Sequence, residues 1–268
     1  MYGIEKQLFE QLLILKENYN LEGIKAEFEA EGSSFNDLVR LRRLTDKAGV
    51  KLFLKIGGVE AVRDIKDSLE IGVDGIIAPM VETSFGLKKF ISAYKSIYKD
   101  YRIKLSINIE TRNSIEELDE ILVYAKDKID NITLGRTDLS DSFMDESIKP
   151  DTDFIMKLVQ EVGKKAVYHG MTFTVGGSIS SKTIEKFKMN PDLCENITAI
   201  ETRKVVLPKK VMLYKEDALE EALKFEELYI LSKKEISNVM IESELLRLEK
   251  LEERKKKEVV FEKAWFIG

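Results

Sequence analysis

Two acidic residues follow the ends of two predicted strands that are neighbours along the chain. Glu110 closes the run SINIE, and Asp138 comes three residues after the run ITLG. The carboxyl ends of adjacent parallel strands meet at one face, so we expect the two carboxylates to lie close together. Such an oxygen-rich pair, without His or Cys, suits Mg²⁺ or Mn²⁺ completed by water and substrate oxygens. Asp138 alone would serve equally well as the N-cap of a turn; its pairing with Glu110 favours a metal site.

Charged and polar side chains alternate with apolar ones along three of the predicted strands. Both faces of a barrel strand are shielded from water, so the apolar rows are expected under the helices and the polar rows in the lumen. Buried charges must then be paired or bind a metal. A purely stabilising ion network, or edge strands that face water, is the alternative for Glu27, Glu29 and Lys55. The polar rows are Lys25, Glu27, Glu29 and Glu31; Lys51, Phe53 and Lys55; and Lys104, Ser106, Asn108 and Glu110.

Regular alternation of short strands and amphipathic helices predicts parallel βαβ units and an α/β fold. No GxGxxG or P-loop sequence follows the first strand, which favours a TIM-type (β/α)8 barrel over an open nucleotide-binding sheet. Seven strands are clear, and the eighth is expected from the N-terminal residues or from Val259–Phe266. The predicted strands are 23–29, 51–56, 75–80, 103–110, 132–135, 171–175 and 197–202, the last with 205–207 as a candidate continuation. The predicted helices are 4–19, 34–48 (Ser34 as N-cap), 59–71, 84–98, 114–127, 152–166 and 181–188.

The C-terminal part of the chain has a different pattern from the rest. Residues 216–257 form a long helical sequence rich in Glu, Leu and Lys, with almost no helix breakers. We therefore predict a catalytic barrel over 1–214 and a helical arm over 215–268. A solvated helix with a charged face is one interpretation, and an arm that packs on another subunit is the favoured one.

Composition excludes several classes of protein. The 268 residues carry 43 Lys and Arg against 48 Asp and Glu, a net charge of −5, so no basic surface for nucleic acid or an anionic membrane is expected. A single Cys and a single His exclude a disulfide framework, a Cys-rich zinc site and an HExxH site. No membrane-spanning stretch and no signal peptide are recognised, and the expected compartment is the cytoplasm.

Three runs of the sequence can be compared with known families. They are GVDGIIAPMVET (72–83), SINIETRNSIEELDEIL (106–122) and ITLGRTDLSDS (132–142). Together they resemble the HpcH/HpaI aldolase and citrate lyase beta-subunit family, which consists of metal-dependent class II pyruvate aldolases and carbon–carbon lyases of the pyruvate/phosphoenolpyruvate barrel superfamily. The resemblance covers roughly residues 20–205, and the runs occur in the family's order and spacing.

The resemblance implies roles for individual residues. Glu110 and Asp138 are expected to hold the divalent metal, with Asn108 where the family usually has Gln beside a metal-bound water. The backbone around Arg136, Thr137 and Asp138 is expected to receive the substrate carboxylate. Lys55 falls where the family has the Arg that stabilises the enolate oxygen, and it supplies the charge without the bidentate fork.

The sequence also departs from the family. Ala30 stands at about the position of the His that acts as general base, Arg136 replaces the usual Pro, and the family's first barrel strand is missing. Glu29 is our replacement candidate for the base, and a metal-bound hydroxide is the alternative. Loss of activity is the third interpretation of these departures.

The expected function is therefore that of a carbon–carbon lyase that cleaves or forms a 2-oxo acid through a pyruvate enolate. The expected partners are a pyruvate-type 2-oxo acid and an aldehyde, with Mg²⁺ or Mn²⁺ as cofactor. A CoA-thioester lyase of the citrate lyase kind, or a non-catalytic barrel, is the alternative. The resemblance further implies a homo-oligomer, a hexamer or trimer, in which a C-terminal helix is exchanged between partners.

Overall fold

The computed structural model describes residues 3–28 and 30–265, with side chains as far as residue 256. Within this part of the chain, eight strands follow one another in sequence order and close into a barrel. The strands are β1 (Gly23–Glu27), β2 (Leu52–Lys55), β3 (Gly75–Ala78), β4 (Lys104–Ile109), β5 (Asn131–Gly135), β6 (Thr172–Gly176), β7 (Ala199–Glu201) and β8 (Val205–Pro208).

The helices lie between and after these strands, and the TIM-type architecture is confirmed. They are α1 (Gly3–Tyr19), α2 (Phe35–Ala48), α3 (Val62–Ile71), α4 (Ser84–Tyr98), α5 (Arg112–Glu116), α6 (Leu118–Ala125), α7 (Arg136–Asp141), α8 (Asp153–Tyr168), α9 (Ser181–Met189), α10 (Lys209–Tyr214) and α11 (Ala218–Trp265). Ser34 caps α2 as predicted: its hydroxyl accepts from the amide of Asp37, and the Asp37 carboxylate accepts from the amide of Ser34.

The eighth strand corrects the sequence prediction. Neither the N-terminal residues nor Val259–Phe266 supply it: residues 3–19 and 259–265 are helical, and Phe266 lies outside the described residues. Residues 205–208 supply it instead, and they pair antiparallel with both β7 and β1. Only three residues separate β7 from β8, too few for the crossover that a parallel neighbour requires, so the chain turns back as a hairpin.

Apolar residues under the helices and polar residues in the lumen follow the predicted alternation. Leu105, Ile107 and Ile109 of β4 are buried among the core residues, whereas Asn108 lines a pocket inside the barrel. Phe53, Ile77, Ala199 and Val206 form a small buried apolar cluster. Phe53 belongs to the row of Lys51 and Lys55, and it shares a small cavity with Lys104 and Ser106 of β4, so apolar residues interrupt the polar rows.

The described chain separates into two compact units. One is Phe9–Glu226, which contains the barrel, and the other combines the residues up to Leu8 with α11 from Glu227 onward. Helix α11 is 48 residues long, about 70 Å. No helix in the described ranges has both the length and the apolar character needed to cross a lipid bilayer.

Candidate active site

A pocket of about 360 Å³ opens where the parallel strands end, at the face that carries the active sites of barrel enzymes. Glu27, Lys55 and Glu201 are the last residues of β1, β2 and β7, and Glu110 directly follows β4. Asp138 reaches the pocket from the first turn of α7. The two carboxylates that the sequence pairs thus line one cavity.

The Glu110 carboxylate is held from both sides inside this cavity. Its Oε1 accepts a hydrogen bond from the amide of Met80 at 2.9 Å, and its Oε2 accepts one from Nδ2 of Asn108 at 3.0 Å. Met80 has a φ of 48°, a left-handed conformation that is uncommon outside Gly. Burial raises the pKa of Glu110 and nearby Asp138 adds to this, whereas Lys55 and the two hydrogen bonds oppose it. The two hydrogen bonds orient the carboxylate, but its negative charge is less well stabilised in the pocket than in water.

Asn108 carries an unsatisfied acceptor beside this carboxylate. Its side chain is 5% exposed, and its Oδ1 is buried with no hydrogen-bond partner among the described residues. A buried carbonyl oxygen without a partner is unfavourable unless a ligand or water satisfies it. We therefore expect Oδ1 of Asn108 to accept a hydrogen bond from a bound ligand or a water molecule.

Asp138 is not the cap of the turn that follows β5. Gly135 occupies the N-cap position of α7 without a side-chain capping bond, and Asp138 lies within the first helical turn. The structural alternative considered for Asp138 is therefore set aside. Its carboxylate is near enough to Glu110 and Lys55 to affect the pKa of both.

Lys55 is a cation whose charge acts on the Glu110 carboxylate. Its Nζ lies 3.4 Å from Oε2 of Glu27, its register partner on β1. Burial lowers the pKa of Lys55, but the charges of Glu110, Glu27 and Asp138 together outweigh burial and raise it. Lys55 is thus a stable ammonium group facing the carboxylates.

Ion pairs surround the remainder of the pocket. Lys25 pairs with Glu201, and Arg203 lies 3.2 Å from Glu27 and 3.9 Å from Glu226. The stabilising ion network that the sequence offered as an alternative is therefore present around Glu27 and Lys55. It coexists with the carboxylate pair, which lies outside these contacts.

The side chain of Arg136 points away from the pocket, whereas the prediction concerns only its backbone. Its guanidinium is fully buried and donates to the carbonyls of Pro150, Gly176 and Gly177 and to the carboxylate of Asp151. Burial lowers its pKa, and Asp151 opposes that effect. The side chain connects the loops behind the pocket by hydrogen bonds. Only the backbone amide of Arg136 therefore remains a candidate for substrate binding.

The backbone beside Arg136 makes a small recess at the pocket. Gly177, with a φ of +79°, has no β-carbon; one built there would lie 2.6 Å from the amide nitrogen of Thr137 and 2.7 Å from that of Arg136. The hydroxyl of Thr137 lies 2.9 Å from that of Ser178. Glycine is therefore required at this position both for its conformation and for access to the amides.

Glu29, the candidate base, lies outside the described residues. Lys25 and Glu226 also line the pocket, and the sequence analysis did not assign them to a site. Lys25 could have been found, because it belongs to the polar row of β1. Glu226 lies on α11, and no local pattern links it to a strand end.

The residues present fit a hard divalent cation that keeps several water ligands. No group of three or more Asp, Glu, His or Cys converges as a metal cluster in the described part of the chain. The pocket offers instead two carboxylates and the unsatisfied Oδ1 of Asn108. Mg²⁺ is commonly bound by one or two carboxylates, with water and substrate supplying its other ligands.

A closed α/β barrel with an acidic pocket at the carboxyl ends of its strands is the architecture of a barrel enzyme. The chain belongs to the HpcH/HpaI aldolase/citrate lyase family, a family of lyases, which matches residues 35–173 and thus more than half of the 268 residues. No curated protein matches the sequence significantly.

Solved structures share the fold at low sequence identity. An HpcH/HpaI aldolase from Desulfitobacterium hafniense has a TM-score of 0.58 and 16% identity over 73% of this chain and 81% of its own. An HpcH/HpaI aldolase/citrate lyase family protein from Burkholderia cenocepacia has a TM-score of 0.59 and 12% identity over 83% and 90%. A variant of the citrate synthase SbnG has a TM-score of 0.56 and 18% identity over 82% and 90%.

Proposed function

We propose that this protein is a metal-dependent carbon–carbon lyase that cleaves or forms a 2-oxo acid through a pyruvate enolate. The observation that carries the proposal is the placement of Glu110 and Asp138 in one pocket, beside the unsatisfied Oδ1 of Asn108. Family membership supports the lyase class. The 2-oxo acid and the enolate route are what the family resemblance implies, and the metal is our inference from the two carboxylates in the pocket.

Glu110 and Asp138 would hold a divalent cation, Mg²⁺ or Mn²⁺. When bound, the cation supplies a Lewis acid for the keto and carboxylate oxygens of the substrate. Among the residues that the structure describes, three cations and five carboxylates line the pocket, and Lys25, Lys55 and Arg203 are each in contact with an acid of the surrounding network. Glu110 and Asp138 are the two acids left over, and their charge matches one divalent ion.

The protein's own groups would orient the substrate and stabilise charge. The amides of Arg136, Thr137 and Asp138 would receive the carboxylate of the 2-oxo acid, in the recess that Gly177 leaves open. The Lys55 ammonium, held by Glu27, would stabilise the negative charge that develops on the keto oxygen. Asn108 would fix Glu110 through Nδ2 and accept a hydrogen bond through Oδ1.

Cleavage also needs a base. It removes the proton of the aldol hydroxyl as the carbon–carbon bond breaks, which releases the aldehyde and leaves the electron pair in the enolate. Return of a proton to the enolate carbon yields pyruvate. Glu29 remains our candidate for this proton transfer because it follows Glu27, the end of β1.

Exchange of the methyl protons of pyruvate with deuterium tests this proposal without an aldehyde. We expect exchange that depends on Mg²⁺ or Mn²⁺ and is lost in Glu110→Gln. A folded wild-type protein that exchanges no protons with any divalent metal would contradict lyase chemistry through an enolate.

We also propose that α11 mediates self-association. Ile241, Leu245, Leu248 and Leu251 recur at helical spacing, and each is about half exposed. Glu242 and Glu244 lie beside the first part of this stripe, and Lys250 and Arg254 lie beside its end, where Glu249, Glu252 and Glu253 also occur. Two copies running antiparallel would place Glu242 and Glu244 near Lys250 and Arg254 while burying the stripe.

A further inference from the structure

The part of the pocket that faces away from Glu110 and Asp138 is built from ion pairs. Lys25, Glu27, Glu201, Arg203 and Glu226 line it. This wall is where the second substrate of the proposed reaction would lie, since the carboxylate pair and Lys55 are assigned to the 2-oxo acid. Its chemistry therefore decides which aldehydes can bind.

Each cation in this wall already contacts a carboxylate. Lys25 pairs with Glu201, while Arg203 reaches both Glu27 at 3.2 Å and Glu226 at 3.9 Å. Lys55 is similarly engaged by Glu27 at 3.4 Å. Among the pocket residues that the structure describes, every Lys or Arg thus has an acidic partner.

The charge balance works against a second anion. In the described part of the pocket, Lys25, Lys55 and Arg203 face five carboxylates, those of Glu27, Glu110, Asp138, Glu201 and Glu226. A divalent ion balances the excess, and the carboxylate of pyruvate then makes the occupied pocket negative. An aldehyde that carries a carboxylate or phosphate would meet like charges and would have to displace an existing ion pair.

The charged side chains of the wall disfavour a fully apolar partner, although Ile179 and Leu223 also line the pocket. Ionised carboxylates accept hydrogen bonds and cannot donate them. Because carboxylates outnumber cations here, the wall has acceptors to spare, and a ligand with hydroxyl donors satisfies them. Thr202, at the start of the turn between β7 and β8, adds a further hydroxyl to the lining.

We infer that the second substrate is an uncharged, hydroxyl-bearing aldehyde rather than an anionic aldehyde or an acyl-CoA thioester, an inference that rests on the proposed lyase function. The ion-paired wall of Lys25, Glu201, Glu27, Arg203 and Glu226 is its specificity determinant.

Aldol addition to pyruvate with matched aldehydes tests this inference. Glyceraldehyde is compared with glyceraldehyde 3-phosphate and glycolaldehyde with glyoxylate, with betaine aldehyde as a cationic probe without hydroxyl groups. We expect kcat/KM for each neutral aldehyde to exceed that of its anionic counterpart on the order of a hundredfold. Equal or better use of the anionic aldehydes, or a preference for betaine aldehyde, would overturn the inference.

A variant of the wall gives a second readout. Glu226→Gln removes one of the two acids that contact Arg203, so the preference for neutral over anionic aldehydes should narrow. Glu185→Gln is the matched control, because this exposed residue of α9 does not line the pocket. An unchanged preference in Glu226→Gln would show that the wall does not set specificity.

Deuterium exchange into pyruvate, measured on the same samples without aldehyde, separates the two proposals. Exchange with a reversed aldehyde preference overturns the substrate inference and leaves the lyase proposal standing. Absence of exchange with every divalent metal overturns both.

Discussion

Gly135 lies directly against the carboxylate of Glu110. A β-carbon built on Gly135 would be 2.5 Å from Oε2 of Glu110, a separation that real structures do not allow. Gly135, the last residue of β5, therefore leaves space for the side chain of Glu110, which follows β4. Any side chain at Gly135 must move Glu110 or the backbone of the strand.

Gly135→Ala is expected to displace Glu110 and weaken metal binding. The φ of Gly135 is −87°, which Ala adopts readily, so the effect should come from the contact and not from backbone strain. Wild-type protein should gain roughly 2.7 kcal/mol of stability at a metal concentration a hundred times Kd, and the variant should gain much less. Thermal unfolding with and without Mn²⁺ measures this difference.

Gly86→Ala is the control, because a β-carbon there meets only the hydroxyl of Thr83 at an ordinary 3.4 Å. Equal metal stabilisation in Gly135→Ala and wild type would mean that Glu110 is not a ligand.

Glu110→Gln is expected to stabilise the metal-free protein at neutral pH. Burial raises the pKa of Glu110 in the folded state, so the fold is favoured when this group is protonated. This contribution to the free energy of unfolding is fully present below the ordinary pKa of a glutamate. It is lost as the pH rises from that value through the raised pKa of Glu110 in the folded state. A glutamine avoids the loss, and its Oε1 can still accept from the amide of Met80. Its Nε2 can donate to Oδ1 of Asn108 once the Asn108 amide turns over, because Nδ2 faces this position in the wild type. We expect a gain on the order of 1 kcal/mol at neutral pH.

Chemical unfolding of the metal-free proteins across the acidic and neutral range measures this gain, which should shrink as the pH falls below the ordinary pKa of Glu. A variant less stable than wild type at neutral pH would argue that the Glu110 carboxylate is already well compensated without a metal.

Lys55→Met is expected to slow catalysis more than it weakens binding. Removing the ammonium group takes away charge stabilisation that matters most when the enolate forms, so kcat should fall on the order of 10²–10³-fold. Initial rates of metal-dependent pyruvate deuteration measure kcat and KM separately. Lys66→Met on α3, an exposed position, is the control. A large rise in KM with unchanged kcat would instead assign Lys55 to ground-state binding.

Substitution of the exposed stripe on α11 tests self-association. Leu245→Glu combined with Leu248→Glu places charges where the proposed antiparallel partner would pack. We expect light scattering to show a smaller assembly than wild type. An exposed polar position of the same helix, substituted as Ser243→Glu, should keep the wild-type mass. A monomeric wild-type protein would contradict the proposal.

Strand ends were the most predictable part of the molecule. Glu110 and Asp138 were located because strand periodicity gives the point where each strand stops, and parallel strands bring those points together. The direction of β8 was missed, although three residues after β7 permit only a hairpin. The short connection between β7 and β8, and not the residue types in the two strands, indicates this antiparallel direction.

Tertiary partners were the least predictable part. Arg136 follows β5 and so resembles a site residue, yet its guanidinium turns to Asp151 on the following loop, at 2.7 Å. Glu226 joins the pocket from α11 through the packing of distant elements. Neither placement follows from local spacing, since both depend on which loop or helix returns to the face of the barrel.

The central claim is that one divalent ion is held between Glu110 and Asp138, where it can receive a 2-oxo acid. Anomalous diffraction from a crystal soaked with Mn²⁺ and pyruvate tests it most directly. We predict a single strong anomalous peak in contact with both carboxylates and with oxygens of pyruvate. The claim would be contradicted if the peak were absent and both carboxylates were instead bonded to Lys55, with no room for an ion between them.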